Sequence, residues 1–168
     1  MGILDLFKKN TRQEGKVLGA GATLYPDKIT IETVDRLKAP YGVVSPKNIT
    51  VLKSGADHET LGKVLRHHLT QSKDDLKRNT DIEKRYRQYL EAAGFKSIKD
   101  HYKNALHLMI HQKNGKISIG PTINGGATGK NRGFLNTTEG PITVEATISD
   151  IELGDLIRSG WSKCEKSH

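Results

Sequence analysis

The chain carries an approximate copy of itself. Lys28-Ile29-Thr30-Ile31 recurs as Lys116-Ile117-Ser118-Ile119, and Asn48-Ile49-Thr50-Val51 recurs as Pro141-Ile142-Thr143-Val144. Leu61-Gly62 with Arg66 recurs as Leu153-Gly154 with Arg158. The offsets are 88, 93 and 92 residues, so the repeating unit is far longer than a solenoid repeat. Each copy reads as strands followed by a helix that carries Leu-Gly in its first turn. The repeat sets pseudo-equivalent halves at about 15–78 and 95–168 around a central helix at about 80–93. All of this falls within a single domain spanning 1–168, a length that buries a core of ordinary size. A two-copy scaffold that repeats no catalytic pair reads as a binding module before it reads as an enzyme.

Local patterns supply the elements. Residues 1–10 form a short amphipathic start, and the glycine-rich stretch Gly15 to Tyr25 suits an irregular or edge strand. Tyr25-Pro26-Asp27 is a turn into the alternating strand Lys28 to Glu32. Tyr41-Gly42-Val43-Val44 and Ile49-Thr50-Val51-Leu52 read as two strands separated by Ser45-Pro46-Lys47-Asn48. Asp57 caps a helix whose Leu61, Val64, Leu65 and Leu69 share one face, which leaves Lys63, Arg66 and His67 largely outside. Thr80-Asp81-Ile82-Glu83 is a capping box opening the central helix, with an apolar stripe of Ile82, Tyr86, Tyr89, Leu90 and Ala93 and a stop at Gly94. Ala105 to Gln112 is a strand, and Asn114-Gly115 fits a primed two-residue turn into Lys116 to Ile119. A long polar loop over Gly120 to Gly133 precedes short strands at Phe134-Leu135 and Ile142-Thr143-Val144. Ser149 and Glu152 make a further capping box before the last helix, lined by Leu153, Leu156 and Ile157. The expected fold class is α+β, a mostly antiparallel sheet packed by helices on one side.

Charge narrows the partners. The net charge is +8, but residues 61–134 alone hold 15 basic and 6 acidic residues, whereas residues 135–168 are net acidic. A basic middle attracts phosphate or an acidic protein surface, and a solvated helix face is the plain alternative. The single cysteine, Cys164, excludes an intrachain disulfide framework and a multi-cysteine zinc site. Met1 to Phe7 reaches Lys8-Lys9 before a secretory apolar segment develops, and Leu6 breaks the myristoylation pattern. No stretch approaches the roughly 20 apolar residues of a membrane span. A cytoplasmic location and no membrane partner are expected.

No chemistry-bearing constellation is complete. Thr128-Gly129-Lys130 lacks the preceding glycine and the following Ser or Thr of a phosphate loop. His107 and His111 have the spacing of helical metal ligands. The residues around them alternate as a strand, however, where positions four apart lie roughly 13 Å from each other. No metal or cofactor is therefore expected. Seven histidines on a basic chain also permit a small nuclease that uses two of them as acid and base. His67 and His68, on successive helical positions, point about 100° apart and do not converge. A nucleic-acid-binding module would use Arg85-Tyr86-Arg87-Gln88-Tyr89, but its tyrosines belong to the apolar stripe, so nucleic acid is not the expected direct partner. Asp57-His58-Glu59 and Asp150-Ile151-Glu152 are explained by the helix dipole.

One ordered set of residues remains. Tyr25-Pro26, Lys28-Ile29-Thr30-Ile31, Leu61-Gly62, Gly120-Pro121-Thr122-Ile123-Asn124, Gly133-Phe134-Leu135, and Glu152-Leu153-Gly154 with Ile157 span nearly the whole chain. The set resembles the immunity proteins of bacterial contact-dependent growth inhibition. The resemblance implies a non-enzymatic, cytoplasmic protein that binds the C-terminal toxin domain of a cognate effector and blocks it. It carries no catalytic residues over, and toxin-contact positions in that family vary too much to transfer. Exposure and charge place the expected contact surface at Asn124, Lys130, Asn131 and Arg132, with Arg66 on the basic helix. Immunity proteins against nucleases are often acidic. A chain of net charge +8 would instead meet an acidic toxin surface, dock through its acidic end, or bind outside the active site.

Overall fold

Two strand meanders meet edge to edge in the middle of one sheet. The computed structural model describes residues 15–37, 42–77 and 79–167; the start read at residues 1–10 lies outside them. The first meander is β1 (Leu18–Leu24), β2 (Lys28–Arg36) and β3 (Gly42–Lys53), followed by α1 (His58–Gln71). Next come α2 (Ile82–Ala92) and α3 (Ile98–Tyr102). The second meander is β4 (Leu106–Lys113), β5 (Lys116–Asn124), β6 (Phe134–Asn136) and β7 (Ile142–Glu145), followed by α4 (Asp150–Ser162) and β8 (Glu165–Lys166). The order is β3-β2-β1-β4-β5-β6, with β7 and β8 also on β5. Named strands pair antiparallel except β8, which runs parallel to β5. The class is α+β, as expected.

The registers make the repeat visible in space. Ala22 faces Ile31 in the first meander, and Ile110 faces Ile119 in the second, each pair displaced by 88 residues. Where the halves join, Gly21 pairs with Met109, its own counterpart, so a local twofold passes through this pair. The third strands correct the sequence reading. Ile31 pairs with Thr50 while Ile119 pairs with Ile142, which is an offset of 92 rather than 93. Short β-branched runs match at either spacing, but a one-residue slip would exchange the two faces of the strand. At 92, Leu52 corresponds to Val144, and both pack on the same core.

That core lies between one sheet face and the helices α1 and α4. Ile29, Ile31, Leu108, Ile110, Ile117 and Ile119 meet Leu61, Leu65, Leu69, Leu153, Ile157 and Trp161. The indole of Trp161 donates to the Ala22 carbonyl at 3.0 Å, so its one polar atom is satisfied in the core. The sheet is not helix-covered on one side only. α2 and α3 cap part of the opposite face through Tyr89, Leu90, Ala93 and Phe95, which cluster with Tyr25 and Ala105. The ion pair of Arg85 with Asp35, 2.7 Å, fixes α2 to β2.

Several local expectations hold and several shift. Asn114 and Gly115 both have positive φ, 51° and 74°, as a primed turn requires. Asp57 caps α1, and Ser149 with Glu152 forms a reciprocal capping box on α4. For α2 the cap is Asp81, which accepts from the Lys84 backbone at 2.9 Å, while the Thr80 hydroxyl donates to Lys77. Ile82 stays about half exposed rather than joining the stripe. β1 is a central strand, not an edge. Gly19 permits that approach, since a Cβ there would lie 2.7 Å from the Val34 carbonyl oxygen. Residues 42–53 form a single strand whose middle bulges between the Glu32–Ile49 and Val34–Val44 pairs. β5 continues through Pro121 and Thr122 to Asn124, so the loop covers only residues 125–133.

Candidate functional site

Strand alternation sends Glu32, His107, Met109 and His111 to the face that α1 and α4 do not cover. α2, α3 and the start of β6 fold over part of that face and leave a cleft of about 360 Å³. Its floor depends on one missing side chain. A Cβ at Gly21 would overlap the Glu32 carboxyl and lie 2.9 Å from His107 Cε1. Glycine at this strand position therefore lets an acid and an imidazole lie over the sheet from its two neighbouring strands. Tyr86, Tyr89, Tyr102 and Phe134 supply aromatic walls.

Glu32 is the unusual residue. It is 2% exposed, and among the described residues its Oε2 has no hydrogen-bond partner. Burial pushes its pKa up to about 8. The Tyr89 hydroxyl and Thr30 Oγ1 are buried beside one another on the same side of the sheet and have, among the described residues, no further partner. Buried polar groups are ordinarily paired, so the Glu32 carboxyl oxygen marks a place where the fold leaves hydrogen-bonding capacity unused.

The histidines here are neutral at physiological pH. His101 Nδ1 is hydrogen-bonded to the Tyr86 hydroxyl at 2.7 Å, and burial lowers its pKa to about 4. His107 is bonded to Thr23 at 2.8 Å and stacked on Phe134 at 4.3 Å between centroids. Burial, and secondarily His101, bring its pKa down to about 3. His111 is shifted downward too, by burial and then by Arg36. A general acid or base works best with a pKa near the operating pH, and His101 and His107, at about 4 and 3, lie well below it.

The residues singled out from sequence fall in different places. Asn124 is buried, and its Nδ2 donates to the carbonyls of Tyr102 at 2.7 Å and Ala105 at 2.9 Å. Its Oδ1 accepts from the Gly126 backbone, so it anchors the loop. Gly125 and Gly133 close that loop with backbone bonds, and Lys130, Asn131 and Arg132 stand exposed on it. Beside it, Lys96, Lys99 and Lys103 of the α3 segment border a shallow depression with Gly126 and Ala127. Asp100 lines the same depression, and the three lysines meet the loop at its Gly126-Ala127 end.

Arg66 is elsewhere. It pairs with Asp150 at 2.7 Å and donates to the carbonyls of Ala146 and Ile148. That position adjoins the Lys116 end of β5, because Ala146 bonds to Gly115, whereas the loop leaves from the Asn124 end. The length of β5 separates them by roughly 26 Å. Arg158 makes the pseudo-equivalent bonds to Ser54 and Ala56. Sequence reasoning missed Glu32, for alternation alone assigns it to the solvent side; the signal was an acid opposite a glycine, legible only once the register is known.

The architecture defines a class: an α+β protein with a curled antiparallel sheet, helices across both faces and a cleft on the less covered one. Two solved structures share this fold. A Neisseria meningitidis protein described as of unknown function has a TM-score of 0.76 at 18% identity, over 91% of this chain and 98% of that one. A chain of the CdiA-CT/CdiI toxin and immunity complex from Yersinia pseudotuberculosis has a TM-score of 0.75 at 17% identity, over 91% of this chain and 100% of that one. No curated protein matches the sequence significantly. Residues 20–164 match the family described as CdiI, CDI immunity protein, and the chain belongs to that family.

Proposed function

We propose that this protein binds the C-terminal toxin domain of its cognate contact-dependent growth inhibition effector and neutralises it by occlusion. Membership of the immunity family over residues 20–164 carries the reading. The solved relative that comes from a toxin and immunity complex is consistent with it. The protein acts in the cytoplasm, where an incoming toxin meets it; among the described residues, no helix is long and apolar enough to cross a membrane. It has no catalytic step of its own.

The surface that suits such a partner is the basic one formed by Lys130, Asn131 and Arg132 with Lys96, Lys99 and Lys103. Among the described residues, none of these side chains takes part in an internal ion pair. An acidic patch on the toxin would be steered to it, and a stable interface would bury roughly 1,200–2,000 Å². Arg66 is not part of this surface. The test is co-expression with the cognate toxin domain. Growth should be restored by this chain and not by an immunity protein of unrelated specificity; continued toxicity despite soluble expression would refute the assignment.

A further inference from the structure

We infer that the cleft beneath α2 and α3 is a cation-recognition site, which takes a guanidinium or alkylammonium group with Glu32 as its counter-ion and the tyrosine rings as its walls. The first observation is the orphaned carboxyl. Glu32 lines the cleft, is 2% exposed, and among the described residues leaves Oε2 unpaired. A buried carboxyl without a partner costs stability, and a fold that keeps one at its centre has a use for it.

The second observation is what surrounds it. Tyr86 and Tyr89 stack at 6.1 Å, and Tyr102 packs on Phe134 at 4.9 Å. Aromatic faces around one acid form the arrangement that holds quaternary and guanidinium cations, through the ring quadrupoles and a single ion pair that forms as the entering cation drives the Glu32 proton out to solvent. Neutral ligands gain nothing comparable from it.

The third observation is that nearby positive charge is already committed. Arg85 is paired with Asp35 at 2.7 Å, and Arg36 lies 3.7 Å from Asp74. His101 and His107 are neutral in the physiological range, so neither repels an incoming cation. A volume of about 360 Å³ accommodates one long side chain or a small amine, near the lower end of ordinary ligand sites.

Two sources offer this chemistry: a free small molecule, or an arginine or lysine side chain presented by a bound protein. The second source rests on the function proposed above; the first does not. Acetyl-arginine-amide, acetyl-lysine-amide and the neutral isostere acetyl-citrulline-amide should be titrated into the full chain, following the His107 ring and Met109 methyl resonances. The cationic amides should shift these signals saturably, and citrulline should not. Glu32→Gln, which keeps the shape and removes the charge, should weaken cation binding at least tenfold while remaining folded. Equal binding of arginine and citrulline amides, or wild-type cation affinity in the variant, overturns the inference.

A second arm measures affinity for the toxin domain. A loss of roughly tenfold or more in Glu32→Gln places the cation on the toxin. Unchanged toxin affinity alongside cation-selective amide binding assigns the site to a free ligand. A toxin that binds neither form refutes the proposed function, and the amide titration still decides the cleft.

Discussion

Gly62 and Gly154 each press against the backbone four residues before the other. A Cβ on Gly62 would overlap the carbonyl of Asp150, and one on Gly154 would overlap the carbonyl of His58. The two Leu-Gly steps of the sequence repeat are thus the crossing point of α1 and α4. This contact explains why the doubled pattern keeps glycine inside helices, where it otherwise costs about 1 kcal/mol relative to alanine.

Gly62→Ala and Gly154→Ala should therefore each destabilise the protein, despite the gain in helix propensity. Overpacking of this kind typically costs about 1–3 kcal/mol. Urea unfolding of both variants should give similar losses, and the double variant should cost less than their sum because one displacement relieves both overlaps. Stabilisation by either alanine would contradict the contact.

Arg66 and Arg158 should behave as a structural pair. Each satisfies carbonyls in the loop that precedes the other's helix. Alanine at either leaves those groups unpaired, for a loss of about 1–3 kcal/mol. Toxin affinity of Arg66→Ala, measured where the variant is fully folded, should stay within about twofold of wild type.

Stability should peak near pH 6.5. Glu32 titrates at about 8 in the fold against an ordinary 4.5, so the folded state holds a proton that the unfolded chain has released. Its contribution is intact below pH 4.5 and is lost as pH rises through 8. His68, His101 and His107 are displaced the other way, to about 4, 4 and 3, chiefly by burial. Their contribution is present above pH 6.5 and disappears as pH falls through those values. Unfolding midpoints from pH 5 to 8.5 should show both arms, and Glu32→Gln should flatten only the alkaline one. An unchanged alkaline slope in that variant would assign it to another group.

Charge reversal of Lys130 and Arg132 should slow association with the toxin by about tenfold at low salt, with little change in dissociation. The difference should shrink as ionic strength rises. Identical association kinetics would remove the loop from the steering surface.

Features set by neighbours in the chain were legible before the fold was known. The Asn114-Gly115 turn, the Asp57 cap and the Ser149–Glu152 box depend on residues at most three apart. Features set by register were not. The bulge within β3, the central position of β1 and the correct offset of 92 all depend on which strand lies alongside. Glu32 is the sharpest case. Its strand alternates as a surface strand does, yet α2 and α3, which follow it by some fifty residues, close over that face. The exposed Lys130, Asn131 and Arg132 were visible as charge in a polar loop. Arg66, equally charged, is consumed by Asp150 and two carbonyls across a helix pair that only the folded chain assembles.

Neutralisation by binding is measured by isothermal titration of the purified chain into its cognate toxin domain, with toxin activity assayed on the same samples. A one-to-one complex should form, with toxin activity lost in step with complex formation. Absence of heat and full toxin activity at saturating concentrations of folded protein would contradict it.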